Sequence, residues 1–195
     1  MDFTFPRVGT PKLRRVLAFA EVGGAEPSGL SVRRFSLFSM SEPVLREKRE
    51  SDLPVLFEIQ CDPAGQAMAA FTDVRNDREA YRVKHRRLLA GDGMVHLVVE
   101  VDDEVVGSGS TWLRDGQPEV TYWIRRDHWG RGLAGLLLAE LLERTPARPV
   151  FGGAAADNLA SQRVLERAGF KPVRRERAFA DARGEEIEEV LFRLD

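Results

Sequence analysis

The chain carries one cysteine, Cys61, in 195 residues. No disulfide can therefore form within it, and a reducing compartment such as the cytoplasm is the expected home. No stretch approaches the roughly 20 apolar residues of a membrane span. Near the start, Lys12, Arg14 and Arg15 precede only a short apolar run that soon meets Glu21, which argues against a signal peptide. Neither sign of charge dominates: 29 Lys and Arg against 31 Asp and Glu leave a net charge of −2. Nucleic-acid binding by bulk electrostatics is thereby excluded, although not a local basic patch. Internal repeats and low-complexity tracts are also absent.

What is there is enough for one buried α/β core. Residues 1 to about 40 stand apart, with Pro6, Pro11, Pro27, a GGAEPSG patch and no sustained period, and read as a loosely ordered extension. A short stretch around Phe35, Leu37 and Phe38 could still dock, and the working chain is expected to begin near Met40. From 44 the pattern becomes regular. A strand at 44–48 is followed by Ser51 and Asp52 as starters of a helix over 53–60. Pro63 and Gly65 break the next region, leaving a short apolar helix at 67–71, and Asp77 caps a helix over 78–89. Strands at 94–101 and 105–113 are joined by the polar turn Asp102–Asp103.

The informative stretch is 119–144, EVTYWIRRDHWGRGLAGLLLAELLER. Val120, Tyr122 and Ile124 alternate with Glu119, Thr121 and Trp123, as in a strand. From Leu133 the period changes, and Leu133, Leu136, Leu137, Leu141 and Leu142 mark an amphipathic helix. Between them lie Gly130, Arg131, Gly132, Leu133, Ala134 and Gly135. A strand running through small residues into a helix leaves the helix's first N–H groups uncovered, at the positive end of its dipole, where glycines let an anion approach. Arg125, Arg126 and Arg131 add cations at the same mouth. The bland alternative is a sharp turn with a solvated arginine rim. Other phosphate templates fail: there is no GxxxxGK[ST], and antiparallel strands before GRGLAG do not make a dinucleotide-binding βαβ unit. Beyond 144, a strand at 149–153, a helix at 158–168 stopped by Gly169, and a hairpin of 170–180 with 185–194 complete the chain.

The run WGRGLA resembles the acyl-CoA pyrophosphate loop of the GNAT superfamily of N-acetyltransferases, [QR]xxGx[GA], with Trp129 where Gln or Arg is commonest. The form with Trp is that of the branch containing ribosomal-protein N-terminal acetyltransferases. A second block, AADNLASQRVLERAGFKPV at 155–173, is similar to the family's later motif: an Asn, a Ser three residues on, a helix, then Gly-Phe into a strand. The resemblance implies an α/β (α+β) fold with a mixed, mostly antiparallel sheet of about six to seven strands and about four helices, splayed between the fourth and fifth strands. It implies an acetyltransferase domain over 41–195, using acetyl-CoA as co-substrate and no metal.

The site residues follow from the same resemblance. Main-chain groups of Ile124 and Arg126 would meet the pantetheine arm. Amides of Arg131, Gly132, Leu133, Ala134 and Gly135 would hold the pyrophosphate. Asn158 and Ser161 would hold a pantetheine carbonyl or an ordered water; the alternative is helix capping, with Asn158 or Asp157 at the N-cap, and both roles can hold together. Glu119 matches a position where family members carry a base, acting directly or through water, its alternative being a solvated strand-end carboxylate. An oxyanion would take an N–H donor near Ile124. His96 and His128 are weaker candidates. The tyrosine that protonates the departing thiolate in many members is replaced by Leu165, so that any general acid lies elsewhere. Residues 62–82 would select the acceptor, a small-molecule amine or a peptide N-terminus, with no nucleic-acid or membrane partner and association of two copies left open. A low-turnover acyl-CoA-binding module of the same fold, and a nucleotide-binding protein using the same loop, are the competing readings.

Overall fold

A computed structural model describes residues 42–72, 76–91 and 93–195. The N-terminal extension, its Phe35, Leu37 and Phe38, and the Met40 boundary lie outside these residues. Seven strands form one sheet in the order β1-β2-β3-β4-β5-β7-β6. They are β1 (Val44–Glu47), β2 (His96–Val101), β3 (Glu104–Arg114), β4 (Gln117–Ile124), β5 (Val150–Ala155), β6 (Lys171–Ala180) and β7 (Glu185–Leu194). Among the described residues five α-helices accompany them: α1 (Leu53–Gln60), α2 (Pro63–Ala69), α3 (Arg78–Leu89), α4 (Leu133–Arg144) and α5 (Leu159–Arg167). Neighbouring strands are antiparallel except β4 and β5, which run parallel.

Two tight hairpins build the central meander. Asp102 and Asp103 sit at φ 53° and 63°, and Asp115 and Gly116 at 52° and 79°. Paired positive φ values match the right-handed twist of the flanking strands. One sheet face is covered by α4 and α5. Leu137, Leu138 and Leu141 are fully buried there, each worth roughly 1.5–3 kcal/mol of burial. Leu137 and Leu141 pack on Leu97, Val99 and Val106, whereas Leu138 joins Val120, Val150, Leu165 and Phe192. The apolar stripe read from the sequence included Leu136, yet that side chain is 45% exposed and Leu138 takes its place inside. The opposite face receives α1, through Leu56 and Ile59 against Val98 and Trp123.

Two helix starts differ from the sequence reading. α2 begins at Pro63, with the Asp62 carboxylate accepting from the Gly65 N–H at 2.8 Å. The Asp-Pro pair starts this helix, since proline at the first position gives up an N–H that has no partner there. Asp52, expected to cap α1, instead turns its carboxylate to Arg46 at 2.8 Å and to the Arg49 N–H at 2.7 Å, and a 3-10 turn precedes α1. Asp77 caps α3 as read, accepting from the Ala80 N–H at 2.9 Å.

Candidate active site

β4 and β5 are paired at one position only, Glu119 with Phe151, whereas β5 pairs with β7 along its whole length. Beyond that point the two parallel strands diverge and a gap opens toward their C-terminal ends. The Arg125 N–H donates to the Val106 carbonyl at 2.7 Å. Antiparallel alternation then turns the backbone groups of Thr121 and Trp123 toward β3, and those of Tyr122 and Ile124 toward the gap. The Ile124 carbonyl is already taken: the Trp129 indole N–H donates to it at 2.6 Å. That bond staples the glycine loop to the end of β4, a role for Trp129 that the sequence did not announce.

The loop itself is open. The N–H of Trp129 goes to the Arg126 carbonyl, but those of residues 130–135 find no acceptor among the described residues. Gly130 and Gly132 have φ of 75° and 79°, conformations that glycine adopts without strain. A Cβ added at Gly130, Gly132 or Gly135 would meet no atom within 4 Å. Six donors therefore border open space at the positive end of a 12-residue helix. Leu133 is buried in the core while its amide remains available. Of the rim arginines, Arg125 is engaged by Glu104 at 3.0 Å and Asp127 at 2.9 Å. The side chains of Arg126 and Arg131 make no hydrogen bond or ion pair among the described residues. Arg126 borders a groove of about 650 Å³ together with Val55, Glu58, Asp62 and Asp127.

Asn158 and Ser161 stand on the α5 side of the gap. The Asn158 side chain is used twice within the protein, accepting from the Ser161 N–H at 3.0 Å and donating to the Met68 carbonyl at 3.0 Å. It caps α5 and ties that helix to α2. Ser161 Oγ lies 2.8 Å from the Tyr122 hydroxyl. This bond from β4 to α5 was not foreseen from the sequence, because nothing local brings residue 122 to residue 161. Burial pushes the Tyr122 phenol up to about 12. Leu165 packs into the core against Gly152, with its Cδ2 3.0 Å from where a Cβ would sit.

Glu119 faces the other side of the sheet. It is half-buried, its side chain 15% exposed, and paired with Arg114 Nε at 3.0 Å. Burial raises its carboxyl above the usual range, and the guanidinium of Arg114 offsets part of the rise. The two histidines are committed elsewhere. His96 reaches Ser110 Oγ at 2.8 Å and the Leu88 carbonyl at 3.1 Å, beneath α3, and His128 Nδ1 meets Asp127 at 2.7 Å. A second cavity of about 270 Å³ lies among α1, α2 and α3, walled by Phe57, Cys61, Tyr81 and His85. Half of its lining, Gln66, Asn76, Asp77, Ala80 and Tyr81, falls within the segment expected to select the acceptor. Among the described residues no group of three or more His, Cys, Asp or Glu side chains could hold a metal, and no helix is long and apolar enough to cross a membrane.

The sequence profile of the acetyltransferase (GNAT) domain matches residues 44–171, about two thirds of the chain and including both the glycine loop and the Asn158–Ser161 block. The chain belongs to the GNAT acetyltransferase family. Among GNAT relatives, an uncharacterized N-acetyltransferase of Bacillus licheniformis, p20, is 25% identical over 161 residues, covering 77% of this chain and 90% of the relative. A ribosomal-protein-alanine N-acetyltransferase from Brucella melitensis superimposes with a TM-score of 0.70 at 24% identity, covering 77% of this chain and 98% of the other. A GNAT superfamily phosphinothricin acetyltransferase from Sinorhizobium meliloti, solved in complex with acetyl-CoA, gives a TM-score of 0.70 at 18% identity, with coverage of 78% and 87%. The seven-stranded sheet with one parallel pair is thus the GNAT fold, as the resemblance implied.

Proposed function

We propose that residues 41–195 form an acetyltransferase domain that carries an acetyl group from acetyl-CoA to a primary amine, on a small molecule or a peptide N-terminus, by direct attack in a ternary complex. The observation that carries this reading is the row of six unpartnered amides at residues 130–135 beside the gap between β4 and β5. Such a row fits a diphosphate bridge, with the rim cations Arg126 and Arg131 adding charge. The gap-facing N–H of Ile124 fits an amide-bearing arm, or the acyl oxygen as it gains charge. Acetyl-CoA supplies the thioester whose C–S bond breaks as the N–C bond to the acceptor forms.

The chain's own residues handle protons. An ammonium has no lone pair and must lose a proton before attack. Glu119 takes that proton, directly or through water. Its raised carboxyl places it closer to neutral pH than an exposed glutamate, which makes it a better-matched base. On the other face, Tyr122 is fully protonated at neutral pH, its hydroxyl held at 2.8 Å from Ser161 Oγ and 3.3 Å from the Ser161 carbonyl. With Leu165 offering no proton, the Tyr122 hydroxyl is the proposed donor to the departing sulfur.

The test is thiol release from acetyl-CoA in the presence of a panel of amines and free-N-terminal peptides. Turnover is expected. Acetyl-CoA binding with no thiol release under any acceptor would favour the binding-module reading instead. In Glu119→Gln, kcat is expected to fall about 10²- to 10⁴-fold. The acidic limb of the pH–rate profile, displaced above the ordinary carboxylate range, should disappear with it. A variant that keeps the wild-type profile would remove Glu119 from the chemistry.

A further inference from the structure

A second carboxylate shares the acceptor face of the gap with Glu119. Phe151 pairs with Glu119, and on β5 the residues Phe151, Gly153 and Ala155 project to one face. Ala155 pairs with Glu189 of β7, so Glu189 projects to that same face. Its carboxylate leans back over the bare backbone of Gly153: a Cβ built there would lie 2.4 Å from Glu189 Oε1. Gly153 is two residues beyond the Glu119–Phe151 pair, where the strands have begun to part, and Thr121, its counterpart on β4, is exposed. Glu189 therefore leans over β5 on the sheet face that carries Glu119, near enough for the charge of Glu119 to act on it.

Glu189 is half-buried, and its carboxylate makes no hydrogen bond or ion pair among the described residues. The two nearby cations are spoken for. Arg114 pairs with Glu119 at 3.0 Å and lies over the Trp112 ring, and Arg174 pairs with Glu176 at 2.8 Å. Burial raises the Glu189 carboxyl most; Arg114 acts against that rise, and the negative charges of Glu119 and Glu176 add to it. An ionised carboxylate kept half out of water with no partner costs free energy unless a cation arrives. The cation that belongs in this cleft is the acceptor.

We infer that Glu189 is the docking carboxylate of the acceptor site: it receives the amine as an ammonium ion next to Glu119, which then takes the proton. Glu189 is a specificity-determining residue, and it favours alkylammonium acceptors, including protein and peptide N-termini, over amines that are neutral at pH 7. The inference rests on the acetyltransferase reading above and names the substrate class of that same cleft.

The experiment compares the wild-type chain, Glu189→Gln and Glu189→Asp in thiol release from acetyl-CoA with two probe series. The first is simple alkylamines and dipeptide amides with free N-termini; the second is aniline and its neutral ring-substituted analogues. For ammonium probes, Glu189→Gln should raise KM about 10- to 100-fold with kcat within about threefold, and Glu189→Asp should recover part of the loss. Aniline KM and acetyl-CoA affinity by calorimetry should be unchanged. Equal KM losses for aniline and ammonium probes, or no loss for either, overturn the docking role. Acetyl-CoA binding without turnover of any ammonium probe overturns it too while leaving the cofactor site standing, whereas absence of acetyl-CoA binding overturns both.

Discussion

His85 stacks on Tyr81, one turn earlier in α3, with ring centroids 3.9 Å apart, and is half-buried. Burial, with the cations Lys48 and Lys84 and the neighbouring His96, holds it down to about 4 from an ordinary 6.5. A depressed histidine favours the fold in its neutral form. Its contribution is fully present above about pH 6.5 and is lost as pH falls through about 4. Allowing for partial exposure, the loss is on the order of 1–3 kcal/mol. Urea unfolding at pH 7.5 and 4.5 should show wild type losing more stability on acidification than His85→Gln. A difference between the two proteins that is independent of pH would contradict this. The same scale shows what a sequence can and cannot disclose about single residues. The caps Asp77 and Asn158 were legible because their partners lie three residues away, at Ala80 and Ser161. The motif position of Glu119 makes it a candidate, but its half-burial and its Arg114 partner are not visible in the sequence. The surroundings of Glu189 and the Tyr122–Ser161 bond are not legible either, because they come from distant strands and helices.

Elements were read better where they punctuate themselves. The change from period two to period 3.6 after Ile124 gave β4, the glycine loop and α4 in the right order. α2 starts four residues before the stretch read as helical, because Asp62 caps it and Pro63 is its first residue. The strand-to-loop joint also depends on one contact outside the glycines, the Trp129 indole on the Ile124 carbonyl, made by a ring that is 42% exposed. Trp129→Phe removes that donor and keeps the ring's bulk. A single hydrogen bond of about 0.5–1.5 kcal/mol predicts a two- to tenfold weaker acetyl-CoA affinity by calorimetry, with the thermal midpoint nearly unchanged. Unaltered affinity would mean that the loop holds its shape without the staple.

At the scale of the whole molecule, the sequence disclosed the local order of strands and helices but not the strand swap in the sheet. β7, not β6, lies beside β5. That choice puts Glu189 next to Ala155, on the sheet face that carries Glu119. Amides and the Tyr122 phenol lie on the α4–α5 side, and Glu119 and Glu189 on the other, with the gap as the passage between them.

The central claim is that the open amides of residues 130–135 bind the cofactor's phosphates, and Gly135→Glu tests it most directly. Gly135 is the third residue of α4, its φ is helical, and a side chain there meets nothing within 4 Å. Glutamate at this position should favour the helix, through both propensity and the dipole, so the variant should fold at least as stably as wild type. A carboxylate among the amides should nevertheless lower acetyl-CoA affinity by more than about 100-fold in titration calorimetry, a loss of about 2.7 kcal/mol or more. A folded Gly135→Glu protein that binds acetyl-CoA as tightly as wild type would contradict the account.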